Sequence, residues 1–140
     1  ETECGDGSND WKAAAHTWEL MQHYLKNGAS AYMYWNMILD ETGKSRWGWK
    51  QNSMISVNSK DGTVTFNPEF YLMRLLSGYV RPGARFVPVE AANCLAFTDH
   101  GKTILLVYNP EKVEKTTRIQ IKGENLEVVL PATSFNAVVL

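Results

Sequence analysis

The spacing of hydrophobic positions at the start of the chain predicts a helix followed by a buried strand. Residues 8–10 carry side-chain oxygens suited to a helix N-cap, and Asn27-Gly28 supplies a left-handed stop. Between them apolar side chains recur every three or four residues, namely Trp11, Ala14, Ala15, Trp18, Met21 and Leu25. The next run, Ala29–Leu39, is almost continuously apolar and aromatic, which predicts a strand covered on both faces in a parallel sheet.

A small hairpin and a second helix are predicted further along the chain. Met54–Val57 and Thr63–Phe66 flank a turn that contains Asp61-Gly62, a pair typical of tight hairpins. Asn67-Pro68 then combines an N-cap with proline at the first helical position, and Pro82-Gly83 ends the helix. The apolar stripe of this helix consists of Leu72, Leu75, Leu76 and Tyr79.

The pattern becomes entirely β after Ala84. Short strands separated by turn signals are predicted at 85–89, 94–98, 103–109, 116–122, 126–130 and 134–140. Such closely spaced strands are typical of a β-sandwich. We therefore predict two domains, residues 1–84 and residues 85–140.

The first domain contains too few strands to cover its own sheet edges. One or two parallel strands with amphipathic helices leave unpaired backbone groups that nothing in residues 1–84 covers. A (β/α)8 TIM barrel needs eight such units and about 250 residues. The predicted fold is thus α/β plus all-β, with the last two strand–helix units of a TIM barrel followed by a β-sandwich side domain, and we expect an N-terminal portion beyond this chain.

Composition narrows the classes of partner. The 140 residues are 44% hydrophobic, which excludes a disordered chain, and the formal net charge is −1, which gives no attraction for a polyanion. Lys44, Arg46 and Lys50 interleave with tryptophans as in some nucleic-acid grooves, but the neutral overall charge argues against nucleic acid. No apolar run has the roughly 20 residues of a transmembrane segment. Metal-ligand spacings, phosphate-binding glycine loops and serine-hydrolase elbows are also missing from the sequence.

Two acidic residues at the start of the chain are candidates for catalysis. Glu1 and Glu3 are two residues apart, so on a strand both carboxylates project from one face. Paired carboxylates cleave glycosidic bonds, although terminal acidic residues are more often solvated surface. The segment 1–7 precedes the first helix, and barrel enzymes keep catalytic groups at the strand end in that position.

Aromatic and amide side chains are expected beside these carboxylates. Trp35-Asn36 lies near the end of the buried run, and Trp47 and Trp49 follow on the next loop. Indole rings pack against the apolar faces of sugars, whereas amides such as Asn36 and Asn52 suit sugar hydroxyls. Packing of Trp35 inside a barrel and anchoring of the loop by Trp47 and Trp49 is an equally weighted alternative.

Four ordered motifs carry a family resemblance: Glu1–Trp11, Tyr34–Asp40, Asn67–Tyr71 and Val80–Ala84. Together they resemble the C-terminal portion of glycoside hydrolase family 30, the family of the glucosylceramidases. The resemblance implies a retaining β-glycosidase with Glu1 as the nucleophile and Glu3 as the fallback. It also implies a substrate site that includes Trp35, Asn36, Trp47 and Trp49, with no cofactor and no metal.

One departure from the family concerns the general acid/base, which in similar enzymes is a glutamate after an asparagine. No Asn-Glu dipeptide occurs in this sequence, so half of the machinery is missing from it. The expected partners are therefore a β-linked glycoside and the remaining N-terminal part of the same enzyme. Alone, the 140 residues should be inactive.

Several alternatives stay open at this point. A non-catalytic carbohydrate-binding module would also use exposed tryptophans, and the sandwich from Arg85 onward can be a structural brace. The resemblance allows glucosylceramide, β-1,6-glucan, xylan or β-fucosides as substrates, and we favour β-glucosides. It also favours a secreted or periplasmic location.

Overall fold

The computed structural model describes residues 7–121 and 123–140, with the backbone alone at Glu124, and the chain divides into two compact units, Glu1–Gly78 and Tyr79–Leu140. The domain boundary predicted after residue 84 stays a prediction. Within the described residues the architecture is α+β, with two helices and three sheets. The strand–helix repeat of a TIM barrel is not found in them.

The first helix, α1, spans Trp11–Lys26 and follows the predicted signals. Asp10 is its N-cap and accepts a hydrogen bond from the Ala13 backbone N–H at 2.9 Å. Asn27 is the C-cap, and Gly28 adopts the positive φ of 93° that the stop requires. Of the predicted apolar stripe, Ala14, Trp18 and Met21 are buried, whereas Ala15 and Leu25 are only partly buried and Trp11 is 40% exposed. The buried face also includes Ala13 and Thr17.

A mixed three-stranded sheet follows α1, with the order β1-β2-β3. Strand β1 (Ile38–Asp40) pairs in parallel with β2 (Ile55–Val57), and β2 pairs antiparallel with β3 (Val64–Phe66). The hairpin of β2 and β3 is confirmed. Helix α2 (Pro68–Tyr79) then begins at the predicted proline and buries Glu69 and Leu72.

The predicted strand Ala29–Leu39 is wrong in its extent. Only its last residues lie in β1, and alternate side chains, including Met33, Trp35 and Met37, are exposed. A strand buried on both faces needs paired neighbours and covering layers. Among the described residues β1 has β2 as its one ladder neighbour, and no strand includes residues 29–37 before it.

The second unit is a β-sandwich, as predicted. One sheet has the order β4-β5-β6-β9, and the other pairs β7 with β8. The strands are β4 (Arg85–Val87), β5 (Cys94–Asp99), β6 (Lys102–Asn109), β7 (Lys115–Ile121), β8 (Glu124–Leu130) and β9 (Ser134–Val139). The larger sheet contributes Cys94, Ala96, Leu105 and Val107 to the core, and Leu130 and Ile119 meet them from the smaller sheet.

Asn109 organises the turns at one end of this sandwich. Its side chain is almost completely buried, and its Nδ2 donates to the carbonyls of Val113, Leu130 and Pro131 at 3.0, 3.2 and 2.8 Å. Its Oδ1 accepts from the Glu111 backbone N–H at 3.1 Å. Because the amide satisfies several backbone groups that the strands leave unpaired, it fixes the chain where β6 leaves the sheet.

Candidate functional site

The predicted nucleophile and its fallback, Glu1 and Glu3, lie outside the described residues. The described chain begins at Gly7, which follows this acidic segment directly. Gly7 has a φ of 87°, and a Cβ at this position would lie 3.3 Å from the carbonyl oxygen of Lys50. Glycine therefore suits both the left-handed backbone and the close approach to the loop that carries Trp49.

Asn52 joins the segment after the acidic residues to the segment that carries Trp35 and Asn36. Its Oδ1 accepts from the Gly7 backbone N–H at 3.2 Å, and its Nδ2 donates to the hydroxyl of Tyr34. Its backbone oxygen accepts from the backbone N–H and the Nδ2 of Asn36, at 3.3 and 3.1 Å. One residue thus contacts both of the segments that the sequence assigns to the site.

The expectation that Asn52 offers its amide to a sugar is wrong. The residue is 2% exposed, and both polar atoms of its amide bind protein groups. A buried amide that already has partners cannot turn to a ligand without leaving those partners unsatisfied.

A second polar group adjoins Asn52 and holds the start of α1 against β2. The backbone N–H of Ser53 donates to Asn9 Oδ1 at 2.8 Å, and Asn9 Nδ2 donates to Ser56 Oγ at 3.3 Å. Asn67 Nδ2 completes the group by donating to the Ser53 carbonyl at 2.7 Å and to Ser56 Oγ at 2.9 Å. These contacts satisfy polar atoms that burial would otherwise leave without partners.

Trp35 offers an exposed apolar ring, and its neighbour Asn36 offers a polar amide. Trp35 is 50% exposed, so its indole is not packed inside a closed core within these residues. Asn36 is half-buried, and its Nδ2 is used by Asn52. Among the described residues no hydrogen bond to Asn36 Oδ1 occurs, which leaves this oxygen as the acceptor for an outside donor.

Trp47 and Trp49 lie on a small hairpin loop between β1 and β2. Lys44 and Lys50 face each other across an antiparallel bridge, and Ser45 accepts hydrogen bonds on Oγ from the backbone N–H groups of Trp47 and Trp49, at 3.3 and 3.2 Å. The two indoles are 75% and 69% exposed, with ring centroids 6.0 Å apart and planes tilted by 35°. An ordered turn thus displays two large apolar rings to the outside.

A cavity of about 270 Å³ opens where β1 ends and α1 begins. Carboxyl ends of parallel strands and N-terminal ends of helices are where α/β proteins bind ligands. It is lined by Gly7, Ser8, Asn9, Asp10, Asp40, Glu41, Thr42, Gly43, Lys50 and Gln51.

Two carboxylates in this cavity are held ionised by hydrogen bonds. The Thr42 hydroxyl and backbone N–H donate to Asp40 Oδ1 at 2.6 and 2.9 Å and lower the pKa of that carboxyl. The backbone N–H and hydroxyl of Ser59 donate to Glu41 at 2.8 and 2.7 Å and lower its pKa. Both groups are exposed acceptors and not proton donors near neutral pH.

The structure brings together some of the predicted site residues. Asn36 is joined to the segment after Glu1 through Asn52, and Gly7 lies against the base of the loop that carries the paired indoles. Trp35 makes no ring contact with Trp47 or Trp49 within the described part of the chain. The sequence interpretation did not predict that Tyr34 and Asn9 would bind Asn52 and Ser53. The available signal was that polar side chains close to an apolar segment need hydrogen-bond partners when they are buried.

Within residues 7–121 and 123–140, no three metal-ligating side chains come together, and neither helix has the length and apolar character needed to cross a bilayer.

The fold is similar to that of several solved structures. SrfJ from Salmonella typhimurium matches 100% of this chain with a TM-score of 0.87 at 20% identity, and the match covers 34% of that protein. An endo-β1,6-glucanase matches 97% with a TM-score of 0.76 at 20% identity, over 34% of its chain. The catalytic domain of the GH30 xylanase C from Talaromyces cellulolyticus matches 99% with a TM-score of 0.69 at 18% identity, over 40% of its chain.

These structures confirm the predicted resemblance at the level of the fold. The neighbours include enzymes of glycoside hydrolase family 30, and the chain corresponds to their C-terminal portion. The chain spans between 34% and 41% of the length of the five structures. At identities of 20% or less the likeness establishes the fold alone. No protein-family model and no curated protein sequence matches the chain.

Proposed function

We propose that this chain is the C-terminal part of a retaining β-glycosidase of glycoside hydrolase family 30, with Glu1 as its nucleophile. The observation that carries the proposal is that Asn52 contacts two segments of the predicted site. It binds Gly7, directly after the segment of the proposed nucleophile (residues 1–6), and it binds Asn36 beside Trp35. The family-30 fold of the neighbours and the four ordered sequence motifs support the same conclusion. The remainder of the enzyme, including the barrel strands and the acid/base, is the proposed partner.

The proposed reaction proceeds in two steps. Ionised Glu1 attacks the anomeric carbon while the upstream acid protonates the leaving oxygen, the two carboxyl groups lying about 5 to 5.5 Å apart. Water, deprotonated by the same upstream residue, then releases the sugar with net retention. The reaction needs neither a metal nor an organic cofactor.

The described residues supply binding groups for the sugar. Trp35 packs against a sugar face and shields the developing oxocarbenium ion from water. Asn36 Oδ1 accepts a hydrogen bond from a sugar hydroxyl, because its Nδ2 is used by Asn52. Trp47 and Trp49 extend the site by stacking on further sugar units or on the aglycone.

We propose β-glucosides as the substrate class. The support for this class is the resemblance of the four ordered motifs to the glucosylceramidases, and an endo-β1,6-glucanase is among the structures that share the fold. A polysaccharide-cleaving or glucosylceramide-cleaving enzyme of this family is expected to work outside the cytoplasm, so we propose secretion or export to the periplasm.

The proposal is tested by trapping the covalent intermediate on the full-length enzyme. The protein is incubated with a 2-fluoro β-glucoside that carries a good leaving group, and with the matching β-xyloside, before intact-mass measurement and peptide mapping. A sugar adduct on the peptide that contains Glu1 supports a retaining enzyme, and the more reactive sugar identifies the specificity. Glycan binding with no adduct from either reagent contradicts the proposal and favours a carbohydrate-binding module.

A further inference from the structure

We propose that Asn52 is a positioning residue of the glycosidase site. It links Gly7, which directly follows the proposed nucleophile segment (residues 1–6), to Tyr34 and Asn36 on either side of Trp35. The inference rests on the proposed function and adds to it a residue that acts through others and does not touch the sugar.

The geometry of Asn52 suits this role because every polar atom of its amide has a fixed partner. Oδ1 receives the Gly7 N–H, and Nδ2 donates to the Tyr34 hydroxyl, one residue before Trp35. Since an amide is planar, the two contacts hold Gly7 and Tyr34 in a defined relation to each other. Rotating the amide by half a turn would place the donor Nδ2 against the Gly7 N–H, which is also a donor. The Asn52 amide therefore has one favourable orientation.

The backbone of Asn52 adds a second pair of contacts on the same site segment. Its carbonyl accepts from both the backbone N–H and the Nδ2 of Asn36. This pair orients the Asn36 side chain so that Oδ1 is the amide atom left for a ligand. Substituting the Asn52 side chain leaves this carbonyl in place, so the side-chain role can be tested separately.

Neighbouring contacts hold the chain that follows the nucleophile segment. Ser53, next to Asn52, holds Asn9 through a 2.8 Å hydrogen bond, and Gly7 lies against the carbonyl of Lys50. The described chain before α1 is therefore fixed at two points, at Gly7 and at Asn9. Loss of the Gly7 contact releases the point nearer to the nucleophile while the second point still holds α1.

The rate of nucleophilic attack should depend strongly on the contact between Gly7 and Asn52. The reacting atoms must come within about 3 to 3.5 Å, and a misplacement of about 1 Å can lower the rate about 100-fold. Binding of the sugar by Trp35 and the two loop tryptophans does not need this precision. Release of Gly7 should therefore lower kcat and leave KM nearly unchanged.

The test compares Asn52→Ala and Asn52→Asp with Asn67→Ala in the full-length enzyme. Asn67 is the matched control, because it is a buried asparagine of the same unit whose amide contacts Ser53 and Ser56 and neither site segment. Turnover of an aryl β-glucoside is normalised to active sites titrated with the 2-fluoro reagent, and thermal unfolding is recorded in parallel. Normalisation removes any loss of folded protein from kcat.

We expect Asn52→Ala to lower kcat about 100-fold with KM within about twofold of wild type. Asn52→Asp, which keeps an acceptor for the Gly7 N–H, should recover about tenfold of that loss. Asn67→Ala should lower the unfolding temperature as much as Asn52→Ala does and leave kcat per titrated site within about twofold.

Three results would overturn the inference while leaving the glycosidase proposal intact. They are a wild-type kcat per site in Asn52→Ala, a raised KM with unchanged kcat, and an equal loss of kcat in Asn67→Ala. If Asn52→Ala does not fold, the Asn52→Asp variant decides by the same criteria. A wild-type enzyme that binds glycans without any turnover refutes the proposed function itself, and the positioning role with it.

Discussion

Asn52 Oδ1 and the backbone N–H of Gly7 are hydrogen-bonded at 3.2 Å across a sequence separation of 45 residues. At this contact Gly7, which follows the proposed nucleophile segment, lies beside the base of the loop that carries Trp47 and Trp49. The nucleophile assignment itself rests on the family motif, which falls on Glu1 with Glu3 as the fallback. Substitutions at Glu1 and Glu3 test this assignment directly.

Glu1→Gln in the full-length enzyme should abolish turnover, whereas Glu3→Gln should retain most of it. Only the nucleophile forms the covalent glycosyl-enzyme, and loss of such a group lowers kcat by about 10⁴-fold or more. Steady-state kinetics on an aryl β-glucoside measure both variants. Equal losses, or loss from Glu3→Gln alone, would move the nucleophile to Glu3 or refute the assignment.

Trp35→Ala should lower kcat/KM by about 10-fold to 100-fold, and Trp35→Phe by less than tenfold, because a phenyl ring keeps part of the stacking surface. The half-exposed indole contributes little to folding, so thermal unfolding should change by no more than a few degrees. An unchanged rate in Trp35→Ala would return Trp35 to the alternative in which it fills the barrel.

Removal of either exposed indole should weaken substrate binding and leave the fold intact. We expect Trp47→Ala and Trp49→Ala each to raise KM about tenfold for an oligosaccharide, equivalent to about 1.4 kcal/mol, with kcat changed less. A short aryl glucoside, which does not reach the loop, serves as the control substrate. Equal effects on both substrates would contradict the extended-site role.

Glu41 should contribute to stability at neutral pH and not in acid. Hydrogen bonds from Ser59 lower the pKa of Glu41 in the folded chain below that of the unfolded chain. Its contribution is therefore complete above the unfolded pKa and is lost as the pH falls through the lower folded value. Glu41→Gln should destabilise the 140-residue chain at pH 7, and the difference from wild type should vanish in acid.

Urea unfolding followed by tryptophan fluorescence measures this difference in the correct unit, because all five tryptophans precede Gly78. Glu90→Gln is the control, since it makes the same change of charge at an exposed glutamate outside that unit. A Glu41→Gln effect that stays constant with pH would rule out the hydrogen-bonded carboxylate as its source.

Leu105→Ala should destabilise the sandwich by about 2 to 5 kcal/mol, because the side chain fills the core between the two sheets. Val129→Ala on the exposed side of β8 should cost no more than about 0.5 kcal/mol. Far-UV circular dichroism in urea reports the transition of the strands. Similar costs for the two substitutions would place Leu105 outside the core.

The periodic parts of the fold were predictable from the sequence because each has a local cause. The cap at Asp10, the proline at 68 and the Asp61-Gly62 turn mark element ends through side-chain and backbone preferences that act within a few residues. The sandwich strands followed the same logic. Their bounds agree with the predicted ranges to within about two residues.

The apolar run before β1 was misread because its apolar content alone resembles that of a buried strand. Strand formation requires a ladder partner, and this requirement is not encoded in the run itself. The role of Asn52 in linking two distant segments was likewise not predictable from the sequence. Its partners lie at distant sequence positions, and a single sequence does not tell a ligand-binding amide from one that folding has already satisfied.

The wide sequence separation of the Gly7–Asn52 pair also influences the order of folding. Helix α1 and the hairpin of β2 and β3 form from neighbouring residues, whereas closing a 45-residue loop costs roughly 2 kcal/mol more in chain entropy than closing a four-residue one. The contact therefore forms after the local elements and is among the first to open. At low denaturant concentration the enzyme should accordingly lose its activity before helix α1 unfolds.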